Sequence, residues 1–367
     1  MCANVIFFVT ALDSGGLENY LLRFVKKFGS RFDNIVIFCK GGKGGVLEEG
    51  FLNVPNVEIV KMNVGNFHPH HFLRVKQWLK DYKDYTICDF TGNFAGPILK
   101  IAKDVGIASR IVFYRSSSNR FKETFLKLKI NNYYKNLVFQ NATQILANSS
   151  FAFEFFFKGE VRDQRFKVVY NGLDIEEFLN IKDNLRLELG ISNSEFVIGH
   201  TGRLNPAKNH ETILQVAQNL LSKYPKLRFI LCGNNVKNKL EKTIVERNLE
   251  NRILLFENRD DISKFLNTCD AYFFPSITEG QPNSLIEAWA KGLPFVASNI
   301  PSIAEIVPHE FTNYLNEPFD IKGFENKLES VIMGNFSINE KDSLSKWAKN
   351  TFDADKRFSE FYHLLMR

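Results

Sequence analysis

The chain has few of the features that mark disulfide-bonded, zinc-clustered or membrane-spanning proteins. Its 367 residues hold only five cysteines, four methionines and three tryptophans. Cys2, Cys39, Cys88, Cys232 and Cys269 form no C-x-x-C pair, and most stand in or beside apolar, strand-like runs. An odd, scattered set argues against a disulfide framework or a zinc ribbon. It reads as buried free thiols in a reducing compartment. No apolar run approaches the ~18–20 residues a membrane-spanning helix needs. No basic segment precedes the first apolar run, so that run does not read as a secretory leader, and the expectation is a cytoplasmic protein. Low-complexity tracts and internal repeats are missing too. What remains is ordinary globular composition, 44% hydrophobic and 24% charged. At roughly 100–200 residues per domain, the length suggests two domains.

The net charge is +6, and it is uneven. Residues 1–177 carry 24 Lys and Arg against 17 Asp and Glu; the remainder carries 23 against 24. The first half is therefore suited to meet something anionic, although a merely Lys-rich surface reads the same way. Residues 120–138 concentrate the excess. Arg120, Lys122, Lys127, Lys129 and Lys135 face one acid, Glu123, and interleave with Phe121, Phe125, Leu128, Tyr133, Tyr134 and Leu137. This pattern fits an anionic membrane surface, or a helix that packs its aromatics inward. No recognition motif supports nucleic acid as a partner.

Apolar runs rich in Val, Ile and Phe predict strands at 4–10, 34–39, 57–61, 85–90, 110–114, 144–147 and 167–170. Helical periodicity falls between most of them, as at 72–82 and 95–105. The series restarts with strands at 196–201, 228–232, 253–256, 271–275 and 294–298, separated by helices at 210–224, 236–248, 262–268 and 284–291. Alternating βαβ units imply parallel sheets covered on both faces. Two series imply two Rossmann-like domains with a cleft between them, divided near Asn171-Gly172-Leu173-Asp174. Such sheets bind ligands at the carboxyl ends of their strands.

Several motifs sit at those ends. Gly15-Gly16 opens the first helix, where bare N–H groups suit an anion; on its own the pair fits a tight turn equally well. Gly41-Gly42-Lys43-Gly44-Gly45 lacks the Gly-Lys-Ser/Thr ending of a phosphate loop and reads as a flexible loop. After the first strand of the second series come Gly202, Arg203, Lys208 and Asn209, two cations beside a helix start, as a diphosphate site requires. After the strand at 271–275 come Glu279 and Glu287, separated by seven residues, with Glu287 about one turn into a helix. Their carboxylates suit sugar hydroxyls and a ribose diol, or else a cap and a surface. Asp353-Ala354-Asp355 lies in the tail and reads as surface.

The run from Pro275-Ser276 through Glu279-Gly280-Gln281, Asn283-Ser284-Leu285, Glu287-Ala288-Trp289-Ala290 and Gly292-Leu293-Pro294 to Ser298 resembles the donor-site signature of glycosyltransferase family 4. Ser302 and Glu305 continue it. Gly15-Gly16, Ala147-Asn148-Ser149, Tyr170-Asn171-Gly172 and Gly202-Arg203 with Lys208 match upstream, in order. The resemblance implies the GT-B fold, α/β, with two Rossmann-like domains facing a central cleft. Residues 1–172 would form the acceptor-side domain and 173–345 the donor domain. A final helical stretch, about 346–367 with Trp347, Phe358, Phe361, Tyr362 and Leu365, would complete the first.

It further implies a retaining enzyme. A hexose or N-acetylhexosamine would pass from a nucleotide-diphosphate sugar, a UDP-sugar, to the hydroxyl of a glycan or lipid-linked acceptor in surface-polysaccharide assembly. Arg203 and Lys208 would hold the diphosphate, Glu287 the ribose and Glu279 the transferred sugar. Gly202, Gly280, Gln281, Asn283, Ser284 and Leu285 would complete the donor site, and Gly15 and Gly16 would close on the diphosphate. No metal or cofactor would be needed. The expected place is the cytoplasm, with peripheral docking on the plasma membrane through 120–138. One departure stands out: the segment 113–120 lacks the family's histidine. Arg115, Ser117 and Asn119 are the candidates to act there on the acceptor side. A nucleotide-sugar epimerase, a phosphorylase or a non-catalytic carbohydrate-binding relative are the other readings of the same residues.

Overall fold

The computed structural model describes residues 4–13, 15–65, 69–119 and 121–366. Cys2 and Arg120 lie outside them. The chain divides into two compact units, one running to Gly172 and resuming at Asp355, the other spanning Leu173–Ala354.

The first unit is built on seven parallel strands: β1 (Asn4–Val9), β2 (Asn34–Cys39), β3 (Val57–Lys61), β4 (Thr86–Asp89), β5 (Arg110–Tyr114), β6 (Gln144–Ala147) and β7 (Phe166–Val168). Their order is β3-β2-β1-β4-β5-β6-β7. Val5 through Val9 are wholly buried, as an apolar run covered on both faces requires. Ile6 and Phe8 pack on one side with Phe38, Ile87 and Leu99. Phe7 faces the other, where Phe24 lies 6.0 Å and Phe361 6.4 Å away, ring centre to ring centre. Phe361 belongs to the last helix, Ala354–Leu365. That helix is tied down at its end, where Gln144 Nε2 donates to Leu364 O (2.7 Å) and Thr86 Oγ1 to Leu365 O (3.0 Å).

The return to the first unit comes later in the chain than the expected residue 346. The helix Ile338–Phe352 stays with the second unit, burying Leu344, Ala348 and Phe352. Trp347 Nε1 donates to Ile306 O (3.1 Å) and Ser345 Oγ to Ala290 O (2.7 Å). Trp347 is thus part of the second unit; Phe358, Phe361, Tyr362 and Leu365 are not.

The second unit holds β8 (Phe196–Thr201), β9 (Leu227–Cys232), β10 (Ile253–Phe256), β11 (Ala271–Phe274), β12 (Phe295–Ser298) and β13 (Leu315–Asn316), in the order β10-β9-β8-β11-β12-β13, all parallel. β13, two residues long, has no periodic signal and was not expected. In each unit the strand order reverses beside the first strand, between β1 and β4 and between β8 and β11. These are the switch points where open α/β sheets bind ligands.

The loop at 41–45 differs from its flexible reading. Gly41 N donates to Thr10 O (2.8 Å), and Leu12 N to Gly44 O (3.3 Å). A Cβ on Gly45 would lie 2.3 Å from the carbonyl carbon of Leu12. The glycines there serve close approach to the end of β1.

Candidate active site

In the second unit the chain leaves β8 through a turn that is pinned to the end of β9. Gly202 N donates to Cys232 O (2.8 Å) and Leu204 N to Asn234 O (2.9 Å). The two turns are so close that a Cβ on Gly233 would lie 2.2 Å from Gly202 O. Asn205 then accepts the N–H of Lys208 (3.1 Å), capping a short turn at Pro206–Lys208. Asn209 takes a left-handed conformation, φ 55°, which asparagine tolerates. Its amide donates to Pro275 O (3.0 Å) and Pro318 O (2.8 Å). Ile277 N donates to Ala207 O (2.8 Å), joining the loop after β8 to the loop after β11.

The outcome is that Lys208 Nζ lies 2.7 Å from Glu279 Oε1, with side chains 16% and 12% exposed. Residues 71 apart in sequence thus form one half-buried ion pair at the switch point. Lys208 Nζ also sits 4.6 Å from the centre of the Phe274 ring. Arg203, on the same sheet edge, is exposed and has no hydrogen-bond or ion-pair partner among the described residues. It remains available to a ligand.

Glu287 stands one turn into the helix Asn283–Ala290, which follows the Glu279 loop. Its charge and the Ser284 hydroxyl reach Tyr272, a polar residue inside the apolar strand β11. Burial pushes the Tyr272 phenol up and Glu287 adds to this, while hydrogen bonds from Ser284 and Thr201 oppose it. Tyr272 Oη lies 2.6 Å from Thr201 Oγ1. Gln281 is buried; Gly280, Asn283 and Ser284 are partly exposed. Leu285 is wholly buried and donates its N–H to Pro282 O (3.1 Å), so its side chain packs beneath the site. Two buried histidines support Lys208 from below. The rings of His200 and His210 stand 5.1 Å apart. Burial, with the Lys208 charge adding, lowers His210 to about 4 and holds His200 well below its ordinary value. Gly233, Tyr272, His200 and His210 were not singled out by sequence. A glycine directly after a strand and polar residues inside apolar runs were the signals present.

The first unit has its own cavity of about 620 Å³ at the carboxyl ends of β1, β2, β4 and β5. Arg115 and Asn119 line it, but Ser117 does not. Ser117 is buried with its Oγ 3.4 Å from Ser149 Oγ, and its neighbours Ser116 and Ser118 face the cavity instead. The Arg115 guanidinium lies 3.7 Å from the centre of the Tyr20 ring. Gly15 precedes the helix Gly16–Phe28 and accepts from Asn19 N (3.0 Å). Among the described residues, beyond its chain neighbours and its own helix backbone, no atom lies within 4 Å of where a Gly16 Cβ would be. The basic segment is split by its helix, Phe125–Asn141. Tyr134, Leu137 and Val138 pack inward, whereas Phe125, Leu126 and Tyr133 are exposed, with Lys129 Nζ 4.4 Å from the Phe125 ring. Asp355 pairs with Lys27 (2.9 Å). Among the described residues no cluster of His, Cys, Asp and Glu could hold a metal ion, and no helix is long and apolar enough to cross a membrane.

Residues 181–352 match the family model of glycosyl transferases group 1, and residues 14–177 match that of Glycosyltransferase Family 4. The chain belongs to glycosyltransferase family 4. It is 24% identical over 316 residues to EpsF of Bacillus subtilis (strain 168), named as a glycosyltransferase, covering 83% of this chain and 80% of that one. It is 33% identical over 178 residues to the UDP-Gal:alpha-D-GlcNAc-diphosphoundecaprenol alpha-1,3-galactosyltransferase of Escherichia coli, covering 47% and 46%. Among solved structures it superposes on Anabaena Alr3699/HepE in complex with UDP with a TM-score of 0.80, at 22% identity and 99% of each chain. The fold of this glycosyltransferase is therefore GT-B, with two Rossmann-like domains.

Proposed function

We propose that this glycosyltransferase is a retaining, metal-independent enzyme that moves a hexose or N-acetylhexosamine from a UDP-sugar to a hydroxyl of a glycan or lipid-linked acceptor in surface-polysaccharide assembly. The observation that carries the reading is the Lys208–Glu279 pair together with the exposed Arg203, at the β8/β11 switch point. Names of relatives support the donor and pathway: the Escherichia coli enzyme is named for UDP-galactose and a diphosphoundecaprenol-linked sugar, and the Anabaena structure holds UDP.

In this reading Arg203 and Lys208 meet the donor diphosphate. A phosphate at Lys208 releases Glu279 to accept hydrogen bonds from the sugar. Glu287 accepts from the ribose, and the N–H groups opening the helix at Asn283 face the donor's negative charge. The bond from the sugar's anomeric carbon to the phosphate oxygen breaks. The acceptor oxygen bonds that carbon from the same face, and its proton goes to the departing phosphate. Cations already in place stabilise the developing negative charge without reorganisation, and they supply the neutralisation that a metal would otherwise provide. Gly15 and Gly16 allow close approach of the diphosphate to the helix start. Arg115 and Asn119 contact the acceptor. The exposed Lys127, Lys129, Phe125 and Leu126 hold the enzyme, cytoplasmic in this reading, against an anionic membrane.

The test is UDP release from UDP-glucose, UDP-galactose and their N-acetylated forms, with saccharide acceptors and EDTA present. Acceptor-dependent release that survives EDTA, with an α-linked product by NMR, is expected. Interconversion of the donor sugar without an acceptor, or dependence on a divalent ion, would count against it. Vesicles of anionic lipid should bind the protein at low salt and release it at moderate salt. Binding indifferent to salt would remove the docking claim.

A further inference from the structure

The wall of the first unit's cavity is mainly apolar, and the polar groups set into it carry almost no net charge. Its deepest cation is Lys40, and all three of its N–H groups are used. They go to Asp89 Oδ2 (3.0 Å), Thr91 Oγ1 (2.7 Å) and the carbonyl of Phe94 (3.0 Å). Lys40 therefore binds the ends of β2 and β4 together and offers no charge to a ligand. The other two charged groups in the wall, Arg115 and Glu18, are opposite in sign.

The rest of the polar wall is amide and hydroxyl. A relay runs through it. Tyr114 Oη donates to Asn93 Oδ1 (2.7 Å), Asn93 Nδ2 to Asn131 Oδ1 (3.1 Å), Asn131 Nδ2 to Asn119 Oδ1 (3.5 Å), and Asn119 Nδ2 to Glu123 Oε1 (2.9 Å). Each bond orients the next amide. An asparagine amide has two donors and two acceptor lone pairs, so Asn119 keeps capacity for a ligand after serving the relay. Oriented amides that both donate and accept match a hydroxyl, which does the same. They match an anion poorly, because the amide oxygens repel it. Phe94 and Phe121, 6.0 Å apart and edge to face, add apolar surface to the same wall. The volume falls within the ~300–1,000 Å³ of small-ligand pockets.

We propose that this cavity holds a neutral sugar residue of the acceptor. Hydroxyls meet the asparagine relay, and the C–H face of the ring meets Phe94 and Phe121. The enzyme then extends an existing saccharide and does not place the first sugar on a lipid phosphate. The reaction that supplies its acceptor is itself a glycosyl transfer. This inference rests on the glycosyl-transfer reading above and deepens it.

Calorimetric titration of the full chain, without donor, tests it. The probes are p-nitrophenyl glucoside, galactoside and N-acetylglucosaminide as neutral ligands, with p-nitrophenyl glucuronide and farnesyl phosphate as anionic ones. At least one neutral glycoside should bind at least tenfold tighter than either anion. Asn119→Ala and Phe121→Ala should each weaken it several-fold, while UDP affinity stays the same. Equal or tighter binding of the glucuronide or farnesyl phosphate, no binding of any neutral glycoside, or indifference to both substitutions would overturn the proposal. The UDP titration separates the two readings. Intact UDP binding with no saccharide binding defeats only the acceptor assignment, whereas saccharide binding without UDP binding defeats only the donor site.

Discussion

Acid should weaken the second unit through the histidines under Lys208. His210 is 4% exposed and His200 fully buried. Burial and the neighbouring Lys208 charge keep both rings neutral, with His210 lowered from 6.5 to about 4. Above pH 6.5 the His210 ring is neutral whether the chain is folded or unfolded, and it does not affect stability. Between 6.5 and about 4 the unfolded chain takes up a proton that the folded chain refuses, so stability falls as the pH falls. Below about 4 both states are protonated and the loss is complete. The displacement corresponds to about 3 kcal/mol. That is a large part of the ~5–15 kcal/mol that holds a domain together. His200 acts in the same direction. The assay is urea unfolding from pH 7.5 to 4 in a Trp78→Phe background, so that fluorescence reports Trp289 and Trp347 of the second unit. Wild type is compared with His210→Gln, because the difference cancels the other groups whose protonation differs between the folded and unfolded chain, such as Glu195 and Asp261, whose carboxyls are held below their ordinary range by Arg228 and Arg259. Wild type should lose about 3 kcal/mol more than the variant between pH 6.5 and 4. Parallel curves, or an NMR titration placing the His210 ring near 6.5, would refute the reasoning.

Lys208→Ala should lower kcat/KM for sugar transfer by about 10²–10³, the loss typical of one preorganised charge-stabilising group; unchanged UDP-release kinetics would take Lys208 out of the mechanism. Gly233→Ala forces a methyl against the backbone oxygen of Gly202, 2.2 Å away, which cannot rotate aside. It should cost about 1–3 kcal/mol and reduce UDP affinity, and a wild-type Tm and Kd would contradict the close approach. Phe361→Ala removes a ring in contact with Phe7, Phe24 and Phe113. It should destabilise the first unit by about 3–5 kcal/mol, with hydrogen exchange in the second unit unchanged. Equal loss in both would contradict the assignment of the last helix.

Strands were legible wherever burial on both faces demanded an unbroken apolar run. Asn34–Cys39, Arg110–Tyr114 and Phe196–Thr201 lie where those runs lie. β13 escaped because two residues carry no period. The residues proposed for the donor side were legible as charged groups at strand ends, and two of them, Lys208 and Glu279, meet. Irregular segments were harder. Nothing local says which of three consecutive serines turns toward the cavity, so Ser117 was named while Ser116 and Ser118 line it. Glycines at 41–45 read as freedom, although three-dimensional packing uses them for contact with the Leu12 backbone. The helix at Ile338–Phe352 and the one after it are both amphipathic, and amphipathicity does not name the surface a helix will cover.

Local composition thus settled which stretches become strands and helices, and which cations and carboxylates stand at their ends. The reason is that burial and periodicity act over neighbouring residues. Strand order was decided only by the folded chain. It placed β8 against β11 and so closed Lys208 on Glu279. It carried Phe361 back to the first sheet, and it lined a cavity with asparagines drawn from distant turns and a helix. Those contacts join residues tens to hundreds of positions apart, and they exist only once the sheets have assembled.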